Sequence, residues 1–294
     1  MTTNTNNIVT IPTEPGFTTS DWTLIRTIGT TVSPFTGEQK TQEFPFTCWT
    51  GTLTLPPMLR SQAALWQSFL VECRGTINSF KIGDPDAKVR QGTYAQTHLT
   101  SARRVNSASV TLSFAANGTI TGTTSIFGSL IVGDFIHVTG ATNEVNNGTH
   151  KITTTTNATT IIVDKTLTVE NTTSGCSCKQ NVSGATGLSL NTVSSDTGTI
   201  KAGDYLGVLS GNSLDHLPFQ LVLVTEDATR STTKYAVKTQ PRLRKDLTDG
   251  HFIRINGPQG LFRLVNKDVN WDTDRCSKYG ISFQIIEDLA ASNT

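Results

Sequence analysis

The chain has 294 residues, room for one large or two to three small domains with a core, and its net charge is +1. No Lys/Arg run exceeds the pair Arg103-Arg104, so nothing in the charge argues for a polyanion-binding surface. Charged residues are only 16% while Thr, Ser, Asn and Gly abound, which suits strands and turns.

No apolar run approaches the ~18 residues of a membrane span, and Met1 to Asn7 is polar, without a basic-then-apolar leader. The five cysteines, Cys48, Cys73, Cys176, Cys178 and Cys276, are odd in number and scattered. Cys176-Ser177-Cys178 has no second pair and no nearby His, so free thiols are expected rather than a zinc site. The sequons at Asn117, Asn147 and Asn157 read as Asn/Gly turns.

In chain order, Ile8 to Ile11 before Pro12 reads as an arm or an edge strand, and Trp22 to Ile28 as a strand. The pattern is sharpest from Ser33 to Pro85. Phe44 to Trp49 leads into Gly51-Thr52-Leu53-Thr54-Leu55, alternating as a half-buried strand does. Pro56-Pro57 stops it. Leu59, Ala63, Trp66, Phe69, Leu70 and Cys73 then recur at three- and four-residue steps, the stripe of a helix packed on one side. Arg74-Gly75 supplies a basic last turn and a glycine stop. Thr76 to Ile82 returns as a strand, completing a sheet with a helical lid.

Lys88 to Arg104 loses periodicity and marks a domain transition. Beyond it, Ser109–Phe114, Gly133–Val138, His150–Thr153, Thr159–Val163 and Thr166–Val169 read as short, regularly spaced strands. Asn117-Gly118 and Asn146-Asn147-Gly148 supply turns. This is the pattern of a small barrel or sandwich over residues 105–181. A weak repeat spans 70 residues: Leu130-x-x-Gly133-Asp134-Phe135-x-x-Val138 is echoed by Ile200-x-x-Gly203-Asp204-Tyr205-x-x-Val208. It reads either as one hairpin device used twice or as a duplicated module.

The spaced motifs Ser33-Pro34-Phe35-Thr36-Gly37, Phe46 to Trp49, Leu55-Pro56-Pro57-Met58, Ala63 to Leu70 and Phe80 to Pro85 carry a resemblance. So do Val182 to Gly187, Thr199 to Leu206, Gln240 to Arg244, Pro258 to Leu264 and Tyr279 to Phe283. Together they resemble the distal tail proteins of long-tailed bacteriophages, of the kind found in prophages of Gram-negative bacteria. The similarity covers residues 33–92 and 182–289, with agreement only loose at His216 to Phe219 and at Asn270 to Asp274. Residues 105–181 look like an insertion.

The fold expected from the pattern is mainly β: a β-sandwich-like body with one covering α-helix, formed by residues 1–104 and 182–294, the latter with a small barrel-like region, and the inserted small β-barrel or sandwich of residues 105–181. The resemblance implies a structural virion protein, made in the bacterial cytoplasm, whose copies form a six-fold ring. Tube protein would lie above, tip or hub proteins below, and the tape measure protein and DNA would pass through the lumen. Ser33, Pro34, Phe35, Thr36 and Gly37 are then either a fixed turn or a subunit contact. Arg242 and Arg244 are either a subunit contact or charges guarding a strand edge. In the insert, loops with Asn143, Asn146 and Asn147 are candidates for a host-surface glycan. The alternative is a free-standing adhesion module of the tail.

No catalytic constellation emerges. The five histidines sit in unrelated segments, Asp215-His216 reads as a polar loop, and no G-x-S-x-G, H-E-x-x-H or P-loop occurs. Asp272-x-Asp274 lacks the further spaced oxygens of a calcium loop. The expectation is a protein that is not an enzyme and has no cofactor and no metal.

Overall fold

The computed structural model describes residues 8–192, 197–231, 234–274 and 278–289; Cys276 lies outside them. In chain order come β1 (Ile8–Val9), β2 (Thr19–Val32), β3 (Gln39–Thr54), α1 (Arg60–Glu72) and β4 (Ser79–Ile82). Next are β5 (His98–Ser101), β6 (Asn106–Phe114), β7 (Thr119–Gly122), β8 (Phe135–Thr139), β9 (Gly148–Thr155), β10 (Thr160–Val163) and β11 (Glu170–Lys179). Then follow β12 (Gly187–Asn191), β13 (Tyr205–Leu209), β14 (Pro218–Val224), β15 (Lys234–Gln240) and β16 (Phe252–Arg254). The chain closes with β17 (Gly260–Leu264), β18 (Asp272–Thr273), β19 (Tyr279–Gly280) and β20 (Ser282–Glu287). The described residues are mainly β with one α-helix and an inserted small barrel.

Among the described residues, the first unit gathers 8–88, 218–221, 259–274 and 278–289. Its sheet has six strands in the order β1-β4-β17-β20-β3-β2, with β1 parallel to β4. One face of α1 buries Ala63, Trp66, Phe69 and Leu70, the stripe read from the sequence. There Phe17, Trp66, Phe69, Phe80 and Phe283 interlock, with Phe69 and Phe80 edge to face at 5.1 Å and Phe17 and Trp66 at 5.4 Å. Leu59 is not part of the stripe. It precedes the first turn and is 61% exposed.

The helix stops because Arg74 and Gly75 both adopt positive φ, 52° and 65°. A Cβ on Gly75 would meet the Lys267 carbonyl oxygen at 2.8 Å, so the chain passes too close for a side chain. Asn78 completes the stop: its Nδ2 donates to the Glu72 carbonyl at 2.8 Å and its backbone N–H to the Cys73 carbonyl at 3.0 Å. Thr76 and Ile77 are therefore part of the cap, and the returning strand begins only at Ser79.

The second unit gathers residues 89–217 and 222–258 and holds both barrels; the first residues of β14, Pro218–Leu221, cluster with the first unit. The inserted barrel closes in the order β6-β7-β10-β9-β8-β11 and the other in the order β5-β12-β15-β14-β13-β16. Pairing β6 with β5, β7 with β12, and each later strand with its successor turns the first order into the second. The weak repeat in sequence is thus a repeat of topology.

Its turn is built the same way twice. Gly133 and Gly203 have φ of 93° and 92°. Gly133 N–H donates to the Ile152 carbonyl and Ile152 N–H to the Asp134 carbonyl; Gly203 and Val224 exchange the same bonds with Asp204. Each aspartate carboxylate also accepts the N–H three residues back, from Ile131 at 3.0 Å and from Lys201 at 2.8 Å.

Residues 89–104, without periodicity in sequence, supply β5, whose partners β12 and β16 lie far along the chain. Thr166–Val169 is not a strand. The strand is Glu170–Lys179, and its pairing with β6 shifts register after Glu170, Thr173 and Cys176, which erases a period-two pattern. Cys176 and Cys178 are buried in this barrel's core, and desolvation pushes the Cys178 thiol up to about 12.

The barrels are fastened to each other. Asp134 and Lys234 form an ion pair at 2.9 Å with side chains only 2% and 3% exposed. Phe135 N–H donates to Ser189 Oγ at 3.0 Å, and a Cβ on Gly187 would fall 2.3 Å from the Phe135 ring. Asn181 Nδ2 donates to Ser101 Oγ and to the Ser189 carbonyl, at 2.8 and 2.7 Å. Arg103 and Arg104 work at the same seam: Arg103 Nη1 donates to the Leu247 carbonyl at 3.2 Å and Arg104 N–H to Gln180 Oε1 at 2.9 Å.

Candidate functional site

The hairpin β2–β3 carries the feature that stands out. β20 pairs with β3 only along Thr50–Thr54, so beyond Trp49 the hairpin has just two strands. Its free part from Ile25 to Val32 extends about 26 Å at ~3.3 Å per residue. The register breaks between Arg26 and Ile28, where Phe44-Pro45-Phe46 stands opposite Thr27 as a bulge. Pro45 is tolerated there, where the ladder is already interrupted.

Ile28, Val32, Phe44 and Phe46 are exposed on this arm. Ile28 and Val32 share one face, since they are two strand periods apart. Phe44 lies over Gly29, where a Cβ would meet its ring edge at 3.1 Å. Two-stranded ribbons are marginal in water on their own, and this one leaves large apolar side chains uncovered.

The tip is Ser33–Gly37, and it is a fixed turn. Gly37 N–H donates to the Ser33 carbonyl at 2.9 Å, and Ser33 N–H to the Glu38 carbonyl at 2.8 Å. Thr36 N–H donates to Ser33 Oγ at 3.3 Å, and Gly37 takes φ of 69°. The turn holds Phe35 out into solvent at 96% exposure. So Ser33, Pro34, Thr36 and Gly37 shape the turn and Phe35 is what it presents.

The same unit has a depression of about 370 Å³ lined by Ile11, Pro12, Glu14, Leu65, Phe69 and Glu72 among others. Its outer wall is fixed to the helix, because Trp66 Nε1 donates to the Glu14 carbonyl at 3.3 Å. Leu65 is exposed on the rim. Neither this depression nor the arm's uncovered faces can be read from the sequence pattern.

Arg242 and Arg244 do not lie on a strand. β15 ends at Gln240, and the irregular segment after it is laid along residues 183–185. Leu243 N–H donates to the Ala185 carbonyl at 2.8 Å and Gly184 N–H to the Leu243 carbonyl at 2.7 Å, with the Leu243 side chain buried. Pro241 has no N–H to extend the ladder. The two arginines are half-buried on either side of Leu243, so no strand edge is there to guard.

The asparagine loop of the insert is organised inward, around Glu170. That carboxylate accepts from Thr142 N–H at 2.7 Å, Asn143 N–H at 3.2 Å and Asn146 Nδ2 at 2.9 Å, and also from Thr173 Oγ1. Burial acts to raise its pKa, but these donors outweigh it and hold the group at about 2. Asn146 is fully buried and also clamps the Thr168 backbone through both ends of its amide. Asn147 likewise brackets Ala141, accepting its N–H at 2.9 Å and donating to its carbonyl at 3.0 Å. Asn143 sends its Nδ2 to Glu170 at 3.4 Å. Asn146 therefore offers nothing to an outside ligand, and the amides of Asn143 and Asn147 are engaged within the loop.

The remaining polar candidates cap turns. Asp215 N–H donates to Ser213 Oγ at 3.2 Å in an exposed loop. Asp272 accepts from Thr273 N–H and Asp274 from Lys278 N–H, each at 2.8 Å. His150 is buried, donates Nε2–H to the Asn146 carbonyl at 2.9 Å, and desolvation lowers its pKa. Among the described residues no group of His, Cys, Asp and Glu is placed to hold a metal ion, and no helix is long and apolar enough to cross a membrane. Compared with known proteins, the chain matches no family model and no curated sequence.

Proposed function

We propose that this chain is a structural protein of a phage tail, a distal tail protein whose copies close into a six-fold ring between the tail tube and the tip. The observation that carries the proposal is the β2–β3 arm, a two-stranded ribbon whose large apolar side chains Ile28, Val32, Phe44 and Phe46 are exposed among the described residues. A ribbon of this kind gains stability when a neighbour buries it, at ~25 cal/mol per Å² of apolar surface removed from water. Along β2 the outer edge adds a row of backbone groups, because among the described residues β2 pairs with β3 alone. Such an edge invites strand addition from another chain.

A contact in which one patch of a subunit meets a different patch of the next repeats until its rotation closes, which yields a ring. In this reading the tube protein sits above, hub or tip proteins sit below, and the tape measure protein and DNA pass through the lumen. The chain's work is assembly and not catalysis. The insert acts as a brace: its asparagine loop is consumed internally, which favours bracing over glycan recognition. Antibody or gold labelling of a tagged chain in intact tails tests the proposal. Label at the lower end of the tube is the expected result; label on separate side fibres, or none on the tail, would overturn it.

A further inference from the structure

Within the first unit, a hollow of about 590 Å³ opens where the end of β3 meets the start of β20. Leu55 and Ile281, both buried, give it an apolar floor, and Thr54, Ser282, Asn270, Trp271 and Asp272 line the rest. We infer that this hollow binds a neutral saccharide, stacked on Trp271 and hydrogen-bonded to Asn270 and Asp272. The inference stands apart from the ring reading, since it concerns a single chain.

What points to that ligand is which groups are unspent. Trp271 is 43% exposed, and among the described residues no ring or cation stacks on it. Its indole N–H, the Asn270 amide and Asp272 Oδ2 have no hydrogen-bond partner among the described residues, while Asp272 Oδ1 takes the Thr273 N–H at 2.8 Å. Thr54 Oγ1 and Ser282 Oγ, 3.0 Å apart, add a pair of hydroxyls with acceptor capacity to spare. The asparagine loop of the insert is the reverse case, with its amides engaged inside the loop.

The lining then narrows the class. It holds no Lys, Arg or His, so a phosphate or carboxylate finds no counter-charge and meets Asp272 instead. A purely apolar ligand would desolvate the amide and the carboxylate without replacing their bonds to water. A pyranose ring brings both parts: an apolar C–H face for the indole, and hydroxyls that donate to the carboxylate and bond the amide. The volume falls within the ~300–1,000 Å³ of small-ligand sites.

The test applies the full chain to an array of immobilised neutral oligosaccharides built from glucose, galactose, mannose and N-acetylhexosamine units. The expected result is selective binding to at least one of them. Titration of that oligosaccharide should change the tryptophan fluorescence, because Trp271 is the one exposed tryptophan of four. By calorimetry, Trp271→Ala should weaken binding about tenfold or more, and Asn270→Ala or Asp272→Asn about three- to tenfold. All three positions are exposed, so the circular dichroism spectrum and the thermal melt should not change. A tenfold rise in salt should alter the affinity by less than about twofold, since the ligand carries no charge. No oligosaccharide bound above background, or binding that survives Trp271→Ala, overturns the inference. So does binding of oligolysine at Trp271 in place of the sugars, which would make the hollow a contact for a basic peptide.

Discussion

The ion pair between Asp134 and Lys234 gives a sharp test of how the two barrels are held together. Both side chains are almost fully buried, and the carboxylate is shared between Lys234 Nζ at 2.9 Å and the Ile131 N–H at 3.0 Å. Desolvation lowers the Lys234 pKa, and the hydrogen bond and charge of Asp134 act against it. Asp134→Asn keeps an acceptor for Ile131 and leaves the ammonium without its counter-charge. Lys234→Met leaves the carboxylate buried with the backbone donor alone. Each single change should cost about 3–5 kcal/mol, the usual result of stranding a buried charge. For a domain of this size that is a fall in Tm of about 6–20 °C. The double variant removes both charges and should lie within about 1.5 kcal/mol of the parent protein. Urea unfolding followed by circular dichroism measures all three. Single variants costing less than about 1 kcal/mol, or a double variant equal to the sum of the singles, would refute the reasoning, since additivity means no coupling.

Other outcomes follow from the same geometry. Trp66→Ala opens the aromatic cluster under the helix and should cost about 3–5 kcal/mol in a denaturant titration. Gly187→Ala drives a methyl into the Phe135 ring and should cost about 1–3 kcal/mol through overpacking, read as a lower midpoint at unchanged slope. Glu170 titrates near 2 in the folded protein against 4.5 ordinarily. A lowered folded value means its stabilisation is complete above about 4.5 and is lost as pH falls from there towards 2. Glu170→Gln should flatten that part of the stability–pH curve, measured by thermal melts at pH 2 to 6. Ile28→Ser with Val32→Ser should leave the melting temperature of the isolated chain within about 2 °C, since more than half of each residue's surface is already in water. The same pair should abolish assembly in sedimentation velocity.

What was legible in the sequence is what local periodicity writes. The stripe Ala63, Trp66, Phe69, Leu70 and Cys73 marked the helix because one side is buried at a 3.6-residue period. Leu59 was misplaced on that stripe because the helix begins one residue later. The turns at Gly118, Gly133, Gly148 and Gly203 were legible because each needs positive φ. β5 was hidden because four residues cannot display a period, and their partners are a barrel away in sequence. β11 was hidden by its own bulges. The asparagine loop looked available to a ligand because its amides are polar; the carboxylate that takes up those of Asn143 and Asn146, Glu170, stands more than twenty residues on. The bareness of the arm was invisible for a related reason. Alternation shows that Trp22 to Ile28 and Phe44 to Trp49 are strands, but not that β20 ends its pairing with β3 at Thr50 and leaves the outer ribbon without a third neighbour.

The proposed ring of copies is open to direct observation. Electron microscopy of the purified full-length protein, with symmetry determined from class averages, tests it most directly. Closed rings with six-fold symmetry and a central bore are the expected result. Monomers, or trimers without a bore, at concentrations where the folded chain is stable would contradict it and favour an adhesion module.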